Sequence, residues 1–237
     1  MPVDTNQAII DALFKVGAHY GYVRSRRHAT QKKFIFGTKN QVDILDLTLT
    51  APILADALAY VRALGAANKV VLFVGGKPEI ADIVRRTATE LGQPYVAGRW
   101  LGGTVSNFTE IKKRIQRMKD LVDERERGVL AQKYTKKERL LLDREIIRLE
   151  ENFSGIQNLE KMPDAFVIVD TKRENNAVLE ARGLGIPIVG IANSDCDISL
   201  ISHPIVANDA SRDSVSYILG EIASAYAEGR SGRTEVV

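Results

Sequence analysis

Two glycines followed by a lysine, at residues 75–77, have the chemistry of a phosphate-binding turn. They follow an apolar run that predicts a strand and precede a predicted helix, and backbone N–H groups at such a junction can bind phosphate. Their spacing satisfies neither G-x-x-x-x-G-K-[ST] nor G-x-G-x-x-G. We therefore interpret Gly75 and Gly76 as turn residues. A small doubly wound enzyme that holds a phosphate beside Lys77 remains the first alternative.

The histidine, cysteine and acidic residues have no spacing typical of a catalytic or metal site. His19, His28 and His203 lie far apart in sequence and form neither H-x-x-x-H nor H-x-H. Cys196 is a candidate metal ligand or nucleophile only if the fold brings it to His203 or to an aspartate. The sequence leaves open whether an ion binds near residues 195–203. We predict no catalytic residue, no cofactor and no metal site.

Positively charged residues form the constellation with the most consistent chemical meaning. The densest group lies in residues 24–33, beside Tyr20, Tyr22 and Phe34. Ammonium and guanidinium groups bind phosphates, and aromatic rings can stack on exposed bases. The predicted RNA contacts are Arg24, Arg26, Arg27, His28, Lys32, Lys33, Arg99, Trp100, Lys112, Lys113, Arg117, Lys133, Lys136 and Lys137.

The elements that must position these residues alternate between strand and helix. Apolar runs at residues 69–74, 165–169 and 186–191 predict buried strands, and amphipathic segments between and after them predict helices, one of them over residues 172–182. Runs at residues 34–36 and 42–47, separated by a polar turn, predict two paired strands, and a helix is predicted over residues 50–64. Residues 135–138 and 171–174 predict capping boxes, and Asp4 or Thr5 is a candidate cap of the first helix. Short apolar strands separated by helices imply a parallel sheet covered on both faces. The expected fold class is α/β, with a three-layer, doubly wound, mainly parallel, Rossmann-like sheet.

The region from residue 104 to 152 breaks this alternation. Phe108, Ile111, Ile115, Met118 and Val122 have the spacing of a coiled-coil seam, and a second run repeats it between residues 142 and 153. We interpret the region as an inserted antiparallel coiled-coil hairpin rather than two helices packed flat on the domain. The predicted organisation is a discontinuous α/β body (1–103 and 154–229), the hairpin (104–153) and a disordered tail (230–237).

Charge is distributed unevenly along the 237 residues, although the formal net charge is only +3. Residues 12–42 contain seven basic residues and no acidic one, and residues 99–139 contain twelve basic residues against six acidic ones. Such asymmetry suggests that one side of the molecule meets a polyanion. Cys196 is the only cysteine, which fits a reducing compartment. We expect a cytoplasmic protein without a targeting or membrane-spanning segment.

Several motifs, in the same order along the chain, resemble one known family. Residues 99–107 read R-W-L-G-G-T-V-S-N and residues 17–21 read G-A-H-Y-G, while residues 135–138 read T-K-K-E and residue 180 begins an E-A pair. Together they resemble the second protein of the small ribosomal subunit, bacterial type, from about residue 8 to 228. Residues 26–30 read R-R-H-A-T where that family commonly has W-N-P-K-M, so the chain resembles a divergent member.

The resemblance implies a structural constituent of the small ribosomal subunit that supports translation without catalysis. It also implies contacts with small-subunit ribosomal RNA and with neighbouring ribosomal proteins, the largest one among them, on the solvent side near the junction of head and body. No cofactor, small-molecule substrate or membrane is implied. An adaptor whose hairpin binds a protein partner is the second alternative.

Overall fold

The computed structural model describes residues 5–232, which form eight α-helices and eight strands. The helices are α1 (Thr5–Lys15), α2 (Leu47–Ala66), α3 (Ala81–Leu91), α4 (Phe108–Glu126), α5 (Val129–Lys133), α6 (Lys136–Phe153), α7 (Asn175–Gly183) and α8 (Arg212–Gly232). The strands are β1 (Tyr20–Val23), β2 (Ile35–Lys39), β3 (Val42–Leu45), β4 (Val71–Val74), β5 (Tyr95–Val96), β6 (Ala165–Val169), β7 (Ile188–Ala192) and β8 (His203–Val206).

A five-stranded parallel sheet is the centre of the molecule, with strand order β5-β4-β6-β7-β8. The chain leaves β4 toward one edge for β5 and returns to the other side for β6. The crevice where ligands bind in open α/β sheets therefore lies between the carboxyl ends of β4 and β6. This arrangement confirms the predicted α/β, Rossmann-like fold class.

Both faces of this sheet are buried, which explains the continuous apolar runs in its strands. Val71 and Phe73 of β4 belong to the core beneath α2, α3 and α8. Leu72 and Val74 alternate with them and belong to the opposite core, with α7 and the first half of α4. Successive side chains of a strand face opposite sides, so each strand contributes to both cores.

The most extensive contact between helices is that of α2 with α8. Two glycines at this contact let the two backbones approach closely. A Cβ atom on Gly65 would collide with the carbonyl of Tyr226, and one on Gly229 with that of Arg62. By length and composition alone α2 could cross a membrane. Leu54 and the rest of its inner face are buried in the core, while its outer face is exposed.

A smaller antiparallel sheet, of order β1-β3-β2, precedes the parallel sheet in the chain. The predicted pairing of β2 with β3 across a polar turn is confirmed, since Lys39 lies opposite Val42. The third strand, β1, was not predicted. Asn40 and Gln41 have φ angles of 49° and 65°. With these left-handed backbone angles, the two residues form the tight turn between β2 and β3 whose twist matches that of the strands.

The helices α4 and α6 pack on each other through Leu121 and Ile146, with Leu130 of α5 between them. The predicted capping box is present at the start of α6, where Thr135 accepts from the backbone of Glu138 and Glu138 accepts from the backbone of Thr135. The description of this pair as a coiled coil remains a prediction. Its base joins the main core, because Ile111 and Phe153 are buried with the residues of the sheet.

Three predicted boundaries differ from the structure. The helix expected from Lys172 begins at Asn175, and the capping box expected between Thr171 and Glu174 is absent, because the Glu174 side chain turns toward β4. The helix α2 begins before Thr50 because the Asp46 side chain caps it by accepting from a backbone N–H. The disordered tail is expected from residue 230, but α8 includes residues 230–232. Residues 233–237 lie outside the described residues, and so does Asp4, the candidate cap of α1.

Candidate nucleic-acid interface

The basic loop, residues 24–33, is fixed over the carboxyl end of β7. It contains two short 3₁₀ helices, and its backbone N–H at His28 donates to the carbonyl of Ser194 at 2.9 Å. Gln31 is fully buried and its Nε2 donates to the carbonyl of Asn193 at 2.9 Å. The lack of apolar periodicity in this segment predicts a plain exposed loop, but its backbone and Gln31 are held by hydrogen bonds to the residues that follow β7.

Arg27 holds this loop to the small antiparallel sheet. Its Nε donates to Asp43 Oδ2 at 2.7 Å, its Nη2 donates to Asp43 Oδ1, and Thr38 donates to the same carboxylate. The Asp43 side chain is fully buried. Hydrogen bonding to the Arg27 guanidinium lowers the pKa of Asp43 below its usual range, although burial opposes this. The Arg27 charge is thus largely neutralised within the protein.

Arg26 and His28 are also engaged with neighbouring residues. Arg26 Nη2 donates to Asp195 Oδ2 at 2.9 Å, and the guanidinium lies 4.5 Å from the centre of the Tyr22 ring. About half of the Arg26 side chain, 51%, remains exposed. The His28 ring accepts from a backbone N–H of the second 3₁₀ helix and caps it. Both residues shape the loop, and the His28 side chain remains 40% exposed.

Arg24, Lys32 and Lys33 are the exposed cations of the loop that form no ion pair with any acidic residue among residues 5–232. Lys33 Nζ lies 5.0 Å from the centre of the Phe34 ring. Because the loop backbone is anchored, these three charges are carried on a fixed segment. Unlike Arg27 they form no ion pair, although the charge of Arg24 contributes to lowering the pKa of Asp43.

Arg99 and Trp100 occupy very different environments. Arg99 is exposed, whereas Trp100 is 5% exposed and its Nε1 donates to Glu180 Oε1 at 3.0 Å. The same carboxylate accepts from the backbone N–H groups of Gly103 at 2.8 Å and Ser106 at 3.1 Å. Burial would raise the pKa of Glu180, but these hydrogen bonds outweigh it and lower the pKa. The R-W-L-G-G motif therefore forms a nest around a carboxylate, and Trp100 offers no free face for stacking.

The predicted cations of the helical pair fall into two groups. On α4, Lys113 pairs with Glu110 at 2.7 Å, and Arg117 lies 3.4 Å from Glu145 of α6. Lys112 Nζ donates to the backbone carbonyl of Glu160, in the segment between α6 and β6. The second group is exposed and forms no ion pair with an acidic residue in the described part of the chain: Lys133, Lys136 and Lys137.

The crevice at the carboxyl ends of β4 and β6 is filled by an internal ion cluster. Lys77 Nζ lies 2.6 Å from Asp170 Oδ2 and 3.5 Å from Asp209 Oδ1, and it donates to the Tyr22 hydroxyl at 3.2 Å. The Asp209 side chain is fully buried. Burial and the nearby charge of Asp170 raise the pKa of Asp209 to about 7. Sequence patterns did not reveal this cluster, because Asp170 and Asp209 lie more than 90 residues after Lys77.

The glycine turn considered as a phosphate site is already occupied by protein atoms. The backbone N–H of Gly76 donates to Glu174 Oε1 at 3.1 Å. A Cβ atom on Gly76 would collide with the carbonyl of Gly98, so the glycine permits close packing of two loops. Together with the lysine in the crevice, this geometry supports the interpretation of Gly75 and Gly76 as turn residues.

Cys196 and His203 are not brought together. Cys196 follows the carboxyl end of β7, while His203 begins β8 opposite Val189, at the other end of β7, and stacks on Tyr60. Cys196 does lie near carboxylates, with one ligand-type atom each of Asp170, Cys196 and Asp209 within 4.8 Å. Burial raises the pKa of the Cys196 thiol to about 12, so it is protonated at neutral pH.

Comparisons with known proteins identify relatives over almost the whole chain. Residues 13–229 match the family described as ribosomal protein S2. The chain is 42% identical over 233 residues to the small ribosomal subunit protein uS2 of Pseudarthrobacter chlorophenolicus, covering 98% of this chain and 79% of that protein. It is 40% identical over 223 residues to uS2 of a Synechococcus species (94% and 93% covered). It is also 40% identical over 221 residues to uS2c of Rhodomonas salina (93% and 90% covered).

Proposed function

Because the chain belongs to the ribosomal protein S2 family and is a structural component of the small ribosomal subunit, not an enzyme, we propose that it binds ribosomal RNA through its unpaired exposed cations. The observation that carries this proposal is the anchored basic loop with three uncompensated charges, Arg24, Lys32 and Lys33. Fixed cations bind phosphates with a smaller loss of conformational freedom than cations on a mobile segment.

The proposed RNA contacts differ in role from one residue to the next. Arg99 and the exposed lysines of the helical pair (Lys133, Lys136, Lys137) join the three loop cations as phosphate contacts. Lys112, Lys113 and Arg117 contribute less because each already bonds to protein atoms. Arg27, His28 and Trp100 act by positioning the surface, and Arg26 combines this role with a partial contact.

The test is the salt dependence of binding to a small-subunit ribosomal RNA fragment. Removing Arg24, Lys32 and Lys33 together by alanine substitution deletes up to three phosphate contacts. Each lost contact flattens the logarithmic salt slope by about 0.9 for duplexes, so the triple variant should lose roughly 2–3 units. Filter binding at several potassium chloride concentrations measures the slope.

A matched control removes three cations that are exposed but already paired within the protein: Arg62, Lys69 and Arg212. This second triple alanine variant has the same change in net charge and should keep the wild-type slope. If both variants flatten the slope equally, the loop charges act only through net charge, and the proposed contact is wrong.

We also propose the neighbours and the compartment that this role requires. Small-subunit ribosomal RNA and adjacent small-subunit proteins, the largest one included, are the proposed partners. Relatives that carry the small-subunit name over nearly this whole length support that assignment. A cytoplasmic ribosome is the proposed location, and a single cysteine that is buried and reduced is compatible with it.

A further inference from the structure

The helix α6 carries more large apolar residues than its contacts use. Leu142, Ile146, Leu149 and Phe153 face α4, α5 or the main core. Three further apolar side chains are more than half exposed, at 52%, 56% and 53%: Leu140, Leu141 and Ile147. An exposed group of large apolar side chains on one element marks a contact surface more often than scattered single residues do.

These three residues lie on one face of the helix. At 3.6 residues per turn, Leu140 and Ile147 are two turns apart and nearly superimposed along the axis. Around the helix axis Leu141 lies about 100° from Leu140, and Arg144 lies between these two directions. The outer face of α6 is defined here as the arc that contains these three apolar residues and the exposed residues between them.

The outer face is strongly cationic as well as apolar. Its exposed charged residues, placed by the same helical spacing, are Lys137, Arg144, Arg148 and Glu151. The single acid, Glu151, lies at the end next to the body. None of the three cations forms an ion pair with an acidic residue among residues 5–232. The surface thus combines apolar contact area with positive charge.

We propose that the outer face of α6 binds an acidic amphipathic helix of another protein. Such a helix supplies leucine-like side chains for Leu140 and Ile147 and carboxylates for Arg144 and Arg148. Lys137, near the start of α6, remains with the proposed RNA contacts. RNA is disfavoured as the occupant, because phosphates and riboses give three exposed aliphatic side chains little to pack against. A second copy of this chain is disfavoured because the three cations of its outer face would repel those of the first. The inference goes beyond RNA binding and does not depend on it.

The buried thiol of Cys196 makes a site-specific test practical. Its pKa is raised to about 12, so a maleimide reacts with an engineered surface cysteine in preference to it. We would label Leu141→Cys with a benzophenone maleimide, assemble the labelled chain into small ribosomal subunits and irradiate them. Mass spectrometry then identifies what the probe has joined.

We expect an adduct to a protein segment with apolar residues at helical spacing and an excess of Asp and Glu. Adding Leu140→Ser and Ile147→Ser to the labelled chain should reduce the adduct at least about tenfold, because two apolar contacts are lost. Adding Leu179→Ser on α7, where the leucine is equally exposed (51%), should leave the yield unchanged.

Other adducts would overturn the inference: RNA, a second copy of this chain, lipid, a protein segment without acidic excess, or no adduct at all. A second probe at Gln116→Cys, exposed on α4, separates this outcome from the proposed function. RNA adducts at both probes would reject protein docking on α6 and leave RNA binding intact. RNA adducts at neither probe would count against RNA binding by the helical pair.

Discussion

Lys77 and its two aspartates give the crevice of the parallel sheet a structural use. One ammonium lies between Asp170 and Asp209, so the cluster carries more negative than positive charge when both aspartates are ionised. Taking these groups out of water costs free energy, and the raised pKa of Asp209, about 7, expresses that cost. The cluster closes the position where a doubly wound enzyme would bind its ligand.

Substituting Asp209→Asn tests this electrostatic description through pH. The folded protein has a pKa of about 7 at Asp209, above the value of about 4 in an unfolded chain. Asp209 therefore contributes stability that is fully present below pH 4 and lost as pH rises through 7. The asparagine variant lacks this loss. Its unfolding free energy, relative to wild type, should rise by about 1 kcal/mol or more between pH 4.5 and 7.5.

Urea unfolding at the two pH values measures that difference. Asp213→Asn, at an exposed aspartate of α8, serves as the matched control. If the Asp209 variant and wild type change in parallel with pH, the aspartate does not bind a proton on folding, and our account of the cluster is wrong.

Glu180 is the residue on which the R-W-L-G-G loop depends. Its carboxylate accepts from the Trp100 indole and from several backbone N–H groups, and in Glu180→Gln an amide NH₂ would face some of these donors. Leaving buried donors unpaired costs about 1–3 kcal/mol. Urea unfolding followed by the fluorescence of Trp100, the single tryptophan, measures the loss. Glu90→Gln, exposed on α3, should change stability little, and equal effects of the two substitutions would contradict this role.

At this scale the sequence locates the basic residues but not the partner of each one. The density of basic residues in the loop predicts a polyanion contact. That Arg27 is neutralised depends on Asp43, which reaches it only because β3 pairs beside the loop. The burial of Trp100 likewise depends on Glu180, 80 residues away. Distant acidic partners leave no local pattern, so aromatic and basic residues look equally available in the sequence.

At the scale of elements, the helical pair is not independent of the body at its base. Val105, Ile111, Ile115 and Met118 are buried in the same core as the sheet residue Phe166. Beyond them, α4 and α6 bury only a small cluster with α5. We propose that the boundary between body and hairpin lies within the helices, several residues beyond the point where α4 begins.

Two replacements by a short Gly-Ser linker test this boundary. Replacing residues 122–147 should leave cooperative unfolding with a stability close to that of wild type. Replacing residues 104–152 should cost at least about 4 kcal/mol, because several core side chains are removed. Thermal and urea unfolding measure both variants. If the longer deletion is as stable as the shorter one, the base of the hairpin does not belong to the main core.

Element types were predictable from periodicity, while several boundaries were not. The apolar strands β4, β6 and β7 and the capping box at Thr135 follow from local patterns alone. The pattern at Thr171 and Glu174 resembles a capping box equally well, yet Glu174 bonds to Gly76 across the sheet. Residue patterns do not distinguish a side chain that caps its own helix from one that bonds to a distant loop.

At the scale of the whole molecule, an enzyme-like topology is joined to a surface that we propose binds RNA. The parallel sheet has the order and crevice of a ligand-binding α/β protein. Its crevice is filled by Lys77, and its carboxyl edge is covered by the basic loop. The same edge that would hold a substrate thus supports the cations proposed to bind ribosomal RNA.

The most direct test of this account is where the chain sediments in a cell lysate. A tagged chain should migrate with small ribosomal subunits in a sucrose gradient and move to the top of the gradient after ribonuclease digestion. The Arg24, Lys32 and Lys33 triple alanine variant should dissociate at a salt concentration at which wild type remains bound, because its RNA contacts are fewer. A wild-type chain that stays at the top of the gradient, or that keeps its position after the RNA is digested, would contradict the account.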